Sequence, residues 1–319
     1  MNILITGVAG FIGSSLAEKL VELGHSVFGV DNFDTFYKKE TKLSNLHNLM
    51  QSANFTFLEG DICNKELYKN KIFKHIDIVV HLAARAGVRP SLEIPDKYYE
   101  SNAIGTIELL EFAKREKIKR FIFASSSSVY GKNPNSPWKE DSELMPISPY
   151  AASKISAESI GKVYAHLYNI QFIALRFFTV YGPKQRPDLA IHKFFHKIYN
   201  DQAIDFYGDG KTYRDYTYID DIIHGLIGAL FSEELNENFM CFNLGNNKQI
   251  SLAELVTNIE KIIGKKAILN YLPEQQGDVR STCADINNSA KYLKYNPKTA
   301  IEEGLQSFNK WYLTQNKIN

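Results

Sequence analysis

Residues 7–13 read GVAGFIG, and what stands on either side of them decides what three glycines at that spacing mean. Residues 2–6, NILIT, form a short apolar run that predicts a buried strand, and a helical pattern follows through Leu16 to Leu23. A glycine-rich turn between strand and helix lets the backbone bend tightly. It also brings a pyrophosphate against the free N–H groups of the helix N-terminus, where the helix dipole favours an anion. Gly7, Gly10 and Gly13, with Phe11 and Ile12 between them, are the expected cradle, and Gly24 is placed to end the helix as its C′ residue.

Working outward, the same alternation repeats. Strand-like runs occur at HSVFGV (25–30), FTFLEG (55–60), IDIVVHLAA (76–84), RFIFASS (120–126) and FIALRFF (172–178), separated by helical segments. In one of these, Ala103, Ile107, Leu110 and Ala113 make a single apolar stripe. The rhythm predicts right-handed βαβ units: an α/β fold with a Rossmann-type, doubly wound parallel sheet. After about Phe178 the pattern becomes irregular, with Gly, Pro and aromatic residues in TVYGPKQRPD and DFYGDGKTYRDYTYIDD, before sheet-like CFNLGN and a final helical region. We therefore expect a dinucleotide-binding domain at 1–178, with elements around 214–247 returning to it, and a smaller, interleaved C-terminal substrate-binding domain at 179–319.

Asp31 closes the second strand at the spacing where a carboxylate accepts bonds from the adenosine ribose hydroxyls, and its charge would repel a 2′-phosphate. NAD is thus expected in preference to NADP. Asp61 and Ile62, after the third strand, are placed to reach the adenine. Ala83 and Ala84, after the fourth, leave room for backbone to approach the cofactor.

Composition narrows the partners. Lys+Arg 37 against Asp+Glu 36 leaves a net charge of +1, which gives no bulk electrostatic reason to expect nucleic acid or a membrane surface. No apolar run reaches the ~20 residues needed to cross a bilayer, and the chain opens directly into a strand-like run, so a cytoplasmic location is expected. Cys63, Cys241 and Cys283 share no metal-ligand spacing, and the eight histidines are scattered without HExxH. Reduced thiols and no metal are expected.

Tyr150 and Lys154 lie four apart in SPYAASK and share one helical face. A phenol titrates near ~10, and lowering it by roughly three units to act as a base at neutral pH needs ~4 kcal/mol of differential stabilisation. A lysine cation on the same face is a candidate source.

With GVAGFIG, DNF, GDI, HLAARAGVRPS, SN, SSSSVYG, YAASK, RFFTVYGPKQRPD and YGDGKTYRDYTYIDD in that order over nearly the whole length, the chain resembles the extended short-chain dehydrogenases/reductases, specifically their nucleotide-sugar epimerases. The resemblance implies Tyr150 as the base, Lys154 as its partner and a ribose ligand, and Ser126, three positions before Val129, as the hydroxyl that bonds the reacting oxygen. It also implies cofactor contacts at Asn32 and Asn102, and Phe177 beside the nicotinamide. A homodimer through a four-helix bundle, built from the helices around Thr106 and Ala157, is a further implication.

The four hydroxyls Ser125–Ser128 separate this chain from related enzymes. In the nucleotide-sugar dehydratases the two positions before VYG resemble Asp-Glu, and in the decarboxylases the second is typically Glu; here they are Ser127 and Ser128. Hydroxyls do not replace a carboxylate as acid or base, which leaves oxidation at C4 and return of the hydride to the other face. Ser127, Ser128 and Thr179 suit a substrate anion, and AGVRPS and FFTVYGPKQRPD are most similar to UDP-glucuronate 4-epimerases. Once C4 is a ketone, the C6 carboxylate is that of a β-keto acid, and hydroxyls that hold it in the carbonyl plane would keep it from leaving as CO₂.

For the UDP moiety the resemblance implies Lys193, Arg214 and Arg280 on the diphosphate; from the residues themselves, Asp278 is a candidate for the ribose hydroxyls, Tyr207 or Phe206 for stacking on uracil, and Arg186 for the sugar carboxylate. Arg85, where glutamine is common, and Lys184, where arginine is frequent, depart from the pattern. A 4-epimerase of neutral UDP-hexoses and a non-catalytic NAD-binding sensor are the alternatives.

Overall fold

A computed structural model describes residues 1–273 and 279–316. The first strands are β1 (Asn2–Thr6), β2 (Ser26–Asp31), β3 (Phe55–Glu59), β4 (Ile78–His81), β5 (Arg120–Ser126) and β6 (Gln171–Phe177). These are followed by the short β7 (Thr179–Tyr181), β8 (Ile204–Tyr207), β9 (Tyr213–Arg214) and β10 (Tyr216–Tyr218), then β11 (Phe239–Leu244), β12 (Ile250–Ser251) and β13 (Leu269–Leu272). Between them run α1 (Phe11–Glu22), α2 (Lys39–Leu46), α3 (Val88–Glu93), α4 (Pro95–Tyr99), α5 (Gly105–Arg115), α6 (Pro149–Tyr168), α7 (Ala190–Tyr199), α8 (Ile219–Phe231), α9 (Leu252–Ile263), α10 (Asn287–Leu293) and α11 (Ile301–Asn316).

Seven strands form one parallel sheet in the order β11-β6-β5-β4-β1-β2-β3. All four residues of β4 and the last six of β5 and β6 are buried, as expected of strands covered on both faces. The order reverses between β1 and β4. That is a topological switch point, where a crevice opens beyond the carboxyl ends of the strands. The late strand β11 returns to this sheet beside β6, matching Leu244 with Phe177.

Local chemistry sets the elements that reach the crevice. Gly10 stands at the N-cap of α1, and Gly24, with φ +81°, follows its C-cap Leu23, as the sequence predicts. Helix α6 begins sharply because the Ser148 hydroxyl accepts the Ala151 N–H at 3.2 Å and Pro149 occupies the first turn. It ends at Asn169 in the left-handed conformation. The stripe expected through Ala103 is interrupted: Glu100–Ile104 is a π turn leading into α5, so Ala103 lies in that turn, while Leu110 and Ala113 are buried and Ile107 is half-buried. Among the described residues no helix is long and apolar enough to cross a membrane.

Candidate active site

A cavity of about 690 Å³ opens at the switch point. Its floor is the glycine turn. Gly7 has φ +71°, and a Cβ there would stand 2.7 Å from the Ala83 nitrogen; a Cβ on Gly13 would overlap the Gly7 carbonyl oxygen. Neither position has room for a side chain, so the backbone itself is presented to whatever enters. Gly10, Phe11, Ile12, Asn32, Asp61, Ile62, Ala83 and Ala84 also line this cavity, together with Phe177.

Asp31 lines it too and is nearly buried. Its Oδ2 accepts the Ala9 N–H at 3.1 Å, its Oδ1 accepts the Phe33 N–H at 2.9 Å, and Lys42 Nζ lies 3.8 Å away. Burial pushes this carboxyl up, against the Lys42 charge and the two amides. Both oxygens retain acceptor sites for a diol. Asp61 takes the Asn32 amide at 2.9 Å and the Cys63 N–H at 2.8 Å; burial raises its pKa, but these donors outweigh it and hold it below the ordinary range.

Asn102 has a different place from the one expected. It is fully buried and does not line the cavity: its Oδ1 accepts the Arg85 N–H at 2.8 Å, and its Nδ2 donates to the Arg85 carbonyl at 3.0 Å and to Ser153 Oγ at 2.9 Å. It pins the loop after β4 to α6. Arg85 itself pairs with Asp34 at 2.6 Å.

At the other end of the cavity, Ser126, Ser127, Ser128, Tyr150, Lys154, Thr179 and Arg186 come together from β5, α6 and the segment after β6. Ser126 Oγ lies 3.1 Å from Ser128 Oγ and accepts the Ser128 N–H at 3.2 Å. Lys154 is buried and donates to the Ala124 carbonyl at 2.8 Å; burial lowers its pKa to about 7, opposed by Glu158. Burial pushes the Tyr150 phenol up, while a Ser126 hydrogen bond and the Arg186 charge pull it down. Arg186, which the sequence placed only near the sugar carboxylate, is thus a cation that favours the phenolate. Tyr98, which sequence reasoning missed, packs edge-on against Tyr150 at 6.1 Å and anchors itself through its hydroxyl to the Ala86 carbonyl at 3.0 Å.

A smaller cavity of about 280 Å³ is lined by Lys193, Tyr207, Arg214 and Arg280, and also by Arg89, Lys197 and Asp188. Arg89 lies over the Tyr207 ring at 5.5 Å. Its position in AGVRPS was visible, but nothing in the spacing said that the start of α3 reaches the second cavity. Phe206, the alternative to Tyr207, is buried and stacks edge-on with Tyr271, so only Tyr207 faces this space. Asp278 lies outside the described residues. Lys184 pairs with Glu18 of α1 at 2.5 Å, a clasp between chain segments. The three cysteines are free thiols, and among the described residues no group of three or more His, Cys, Asp or Glu side chains is placed to hold a metal.

The family model described as GDP-mannose 4,6 dehydratase matches residues 4–308. A UDP-glucuronate 4-epimerase of Thermodesulfobacterium geofontis is 44% identical, covering 97% of this chain and 95% of the relative. The crystal structure of the UDP-glucuronic acid 4-epimerase of Bacillus cereus, in complex with UDP-glucuronic acid and NAD, superposes with a TM-score of 0.94 at 37% identity, over 99% of this chain and all of that one. The UDP-glucose 4-epimerase of Thermotoga maritima, solved with UDP-glucose, gives 0.90 at 32% identity, over 99% of this chain and 100% of that one.

Proposed function

Because the chain belongs to this family of extended short-chain dehydrogenase/reductase enzymes, we propose that it is an NAD-dependent UDP-sugar 4-epimerase that interconverts UDP-glucuronate and UDP-galacturonate. The observation that carries this reading is one wall of the larger cavity. There the hydroxyls of Ser126, Ser127, Ser128 and Thr179 stand with Tyr150, Lys154 and Arg186, and no carboxylate occupies the two positions before Val129. Although the family model carries a dehydratase's description, Ser127 and Ser128 cannot serve as the acid and base of an elimination.

The residues fit NAD. Gly7 and Gly13 offer bare backbone where a side chain would collide, α1 starts at that point with Gly10 at its N-cap, and Asp31 offers a carboxylate to the ribose. When bound, NAD accepts a hydride from the sugar and gives it back. On the protein side, Tyr150 takes the proton of the C4 hydroxyl and later returns one, and Ser126 holds the reacting oxygen. Lys154 supplies positive charge beside the phenol and a donor to the ribose. Ser127, Ser128 and Thr179 hold the sugar carboxylate near the plane of the C4 ketone, so that six carbons survive while the sugar turns over. The basic second cavity receives the UDP diphosphate on Lys193, Arg214 and Arg280, and Tyr207 meets the uracil.

We assign residues 1–178, with the 214–247 elements, to the cofactor lobe and 179–319 mainly to the sugar nucleotide, in a cytoplasmic homodimer. Supporting the dimer, Ile104 at the end of the π turn before α5 and Val163, Leu167 and Tyr168 on α6 are exposed apolar side chains on neighbouring elements. The test is to incubate the purified protein with UDP-glucuronate, without added NAD, and follow the sugar by proton NMR. UDP-galacturonate with six carbons is expected. A UDP-pentose product, or turnover of UDP-glucose in preference to UDP-glucuronate, would overturn the uronate assignment.

A further inference from the structure

We propose that Glu158 is a positioning residue for the reacting centre: its carboxylate ties the ends of β5 and β6 to α6 and holds a negative charge one helical turn from the Lys154 ammonium. The inference rests on the 4-epimerase reading and adds a residue that touches neither sugar nor cofactor cavity.

Tyr150, Lys154 and Glu158 follow one another at intervals of four along α6, so they share a face. Glu158 is nearly buried. Its Oε1 accepts the Ser125 hydroxyl and Arg176 Nε, the latter at 3.0 Å, and its Oε2 accepts Arg176 Nη2 at 2.8 Å. Ser125 and Arg176 are direct partners in the β5–β6 ladder, and the next pair in register is Ser126 with Phe177. The two residues that Glu158 grips are therefore the immediate chain neighbours of two cavity-lining residues assigned to the reacting centre. The far side of Arg176 is also held, its Nη1 donating to Tyr130 Oη and to the Glu140 carbonyl, each at 2.9 Å.

The groups around Lys154 say why a charge is needed. It donates to the Ala124 carbonyl from β5 and lies 4.9 Å from the Phe123 ring, its charge acts on His81 from β4, and Tyr150 stands one turn earlier on the same helix. His81 is held neutral by burial between the Thr6 and Thr106 hydroxyls. Against burial, which works to deprotonate the lysine, Glu158 is the group that opposes. Glu158 in turn faces Ser125 on β5, Arg176 on β6 and Cys241 on β11. A purely structural ion pair accounts for the Arg176 fork. It has no bearing on where Lys154 titrates.

The experiment uses the full chain with NAD, carrying ¹³Cε-labelled lysine, with Lys154→Met assigning the resonance. In Glu158→Gln the Lys154 titration midpoint is expected to fall by about one unit, a tenfold change in its protonation equilibrium. In the same protein kcat should drop about tenfold while KM stays within about threefold, since the UDP cavity is untouched. Should the unpaired Arg176 prevent folding, Glu158→Gln/Arg176→Gln removes both charges and should still lower the midpoint, by less than the single variant because the Arg176 charge is lost as well. A midpoint matching the unaltered protein, in whichever variant folds, overturns the proposal. Turnover by the unaltered protein tests the epimerase reading separately, because the titration requires no turnover.

Discussion

Arg186 and Asp188 pair through two hydrogen bonds, Nε to Oδ1 at 2.9 Å and Nη2 to Oδ2 at 2.8 Å, and the pair stands between the two cavities, Arg186 lining the larger and Asp188 the smaller. The guanidinium also lies over the Phe36 ring at 5.2 Å. Arg186 is one of the groups that favour the Tyr150 phenolate, so the countercharge on Asp188 tempers its effect on the proposed base. A base must be deprotonated to act, so activity rises with pH through the phenol's titration. Asp188→Asn should move the acid limb of the kcat profile to lower pH, and Arg186→Gln should move it up, each by roughly half a unit to one unit, ~0.7–1.4 kcal/mol. If neither limb moves, Arg186 does not act on the phenol.

The carboxylate grip predicts a change of product, not only of rate. Replacing Ser127, Ser128 and Thr179 together by Ala should release a UDP-pentose and CO₂ alongside, or in place of, UDP-galacturonate, and should weaken UDP-glucuronate binding about tenfold. Each lost bond to a charged group is worth ~1.5–3 kcal/mol at most. Product NMR and captured ¹⁴CO₂ from the labelled carboxyl read it directly; an unchanged six-carbon product at wild-type rate removes the role.

Gly7→Ala tests the floor of the cofactor cavity. The new methyl would meet the Ala83 nitrogen at 2.7 Å with φ at +71°, so strain and overpacking combine. The expected cost is about 1–3 kcal/mol of stability, with NAD no longer retained through gel filtration. An unaltered melting temperature together with bound NAD would show that the turn tolerates a side chain.

Lys154 makes stability depend on pH. Its pKa in the fold is about 7, against 10.5 for the ordinary lysine, so between those values the unfolded chain binds more protons than the folded one. Stability then rises with pH across that window, and the contribution is complete only above the ordinary lysine value. Scanning calorimetry of the NAD-free protein from pH 7 to 9 should show a gain that Lys154→Met abolishes; equal slopes in both proteins would place Lys154 in a charged, solvated setting.

The cofactor half was legible because its signals are local. A glycine triplet between an apolar run and a helix, or Asp31 at the end of the next run, constrains a few consecutive residues through sterics and dipoles, and the seven-strand parallel sheet followed from its alternation with helices. Tyr150 and Lys154 were readable for the same reason, since helical spacing alone puts them on one face. Asn102 was misplaced because its motif gives the residue and not its direction: a π turn at Glu100–Ile104 turns the amide toward Arg85 and Ser153. Tyr98 and Arg89 were missed, as neither has a partner close in sequence.

Sequence by itself determined the fold class, the glycine turn at the first strand-to-helix junction, the shared face of Tyr150 and Lys154, and the serines where related dehydratases carry carboxylates, all of which depend on residue type and short-range spacing. Only the tertiary structure decided that Arg186 favours the Tyr150 phenolate, that Asp31 shares its carboxylate with Ala9 and Lys42, and that Glu158 joins β5, β6 and α6. These depend on burial and on contacts between residues far apart in the chain. Burial changes the energy of a charge by more than its neighbours in sequence do, and the fold alone sets how deeply each group is buried.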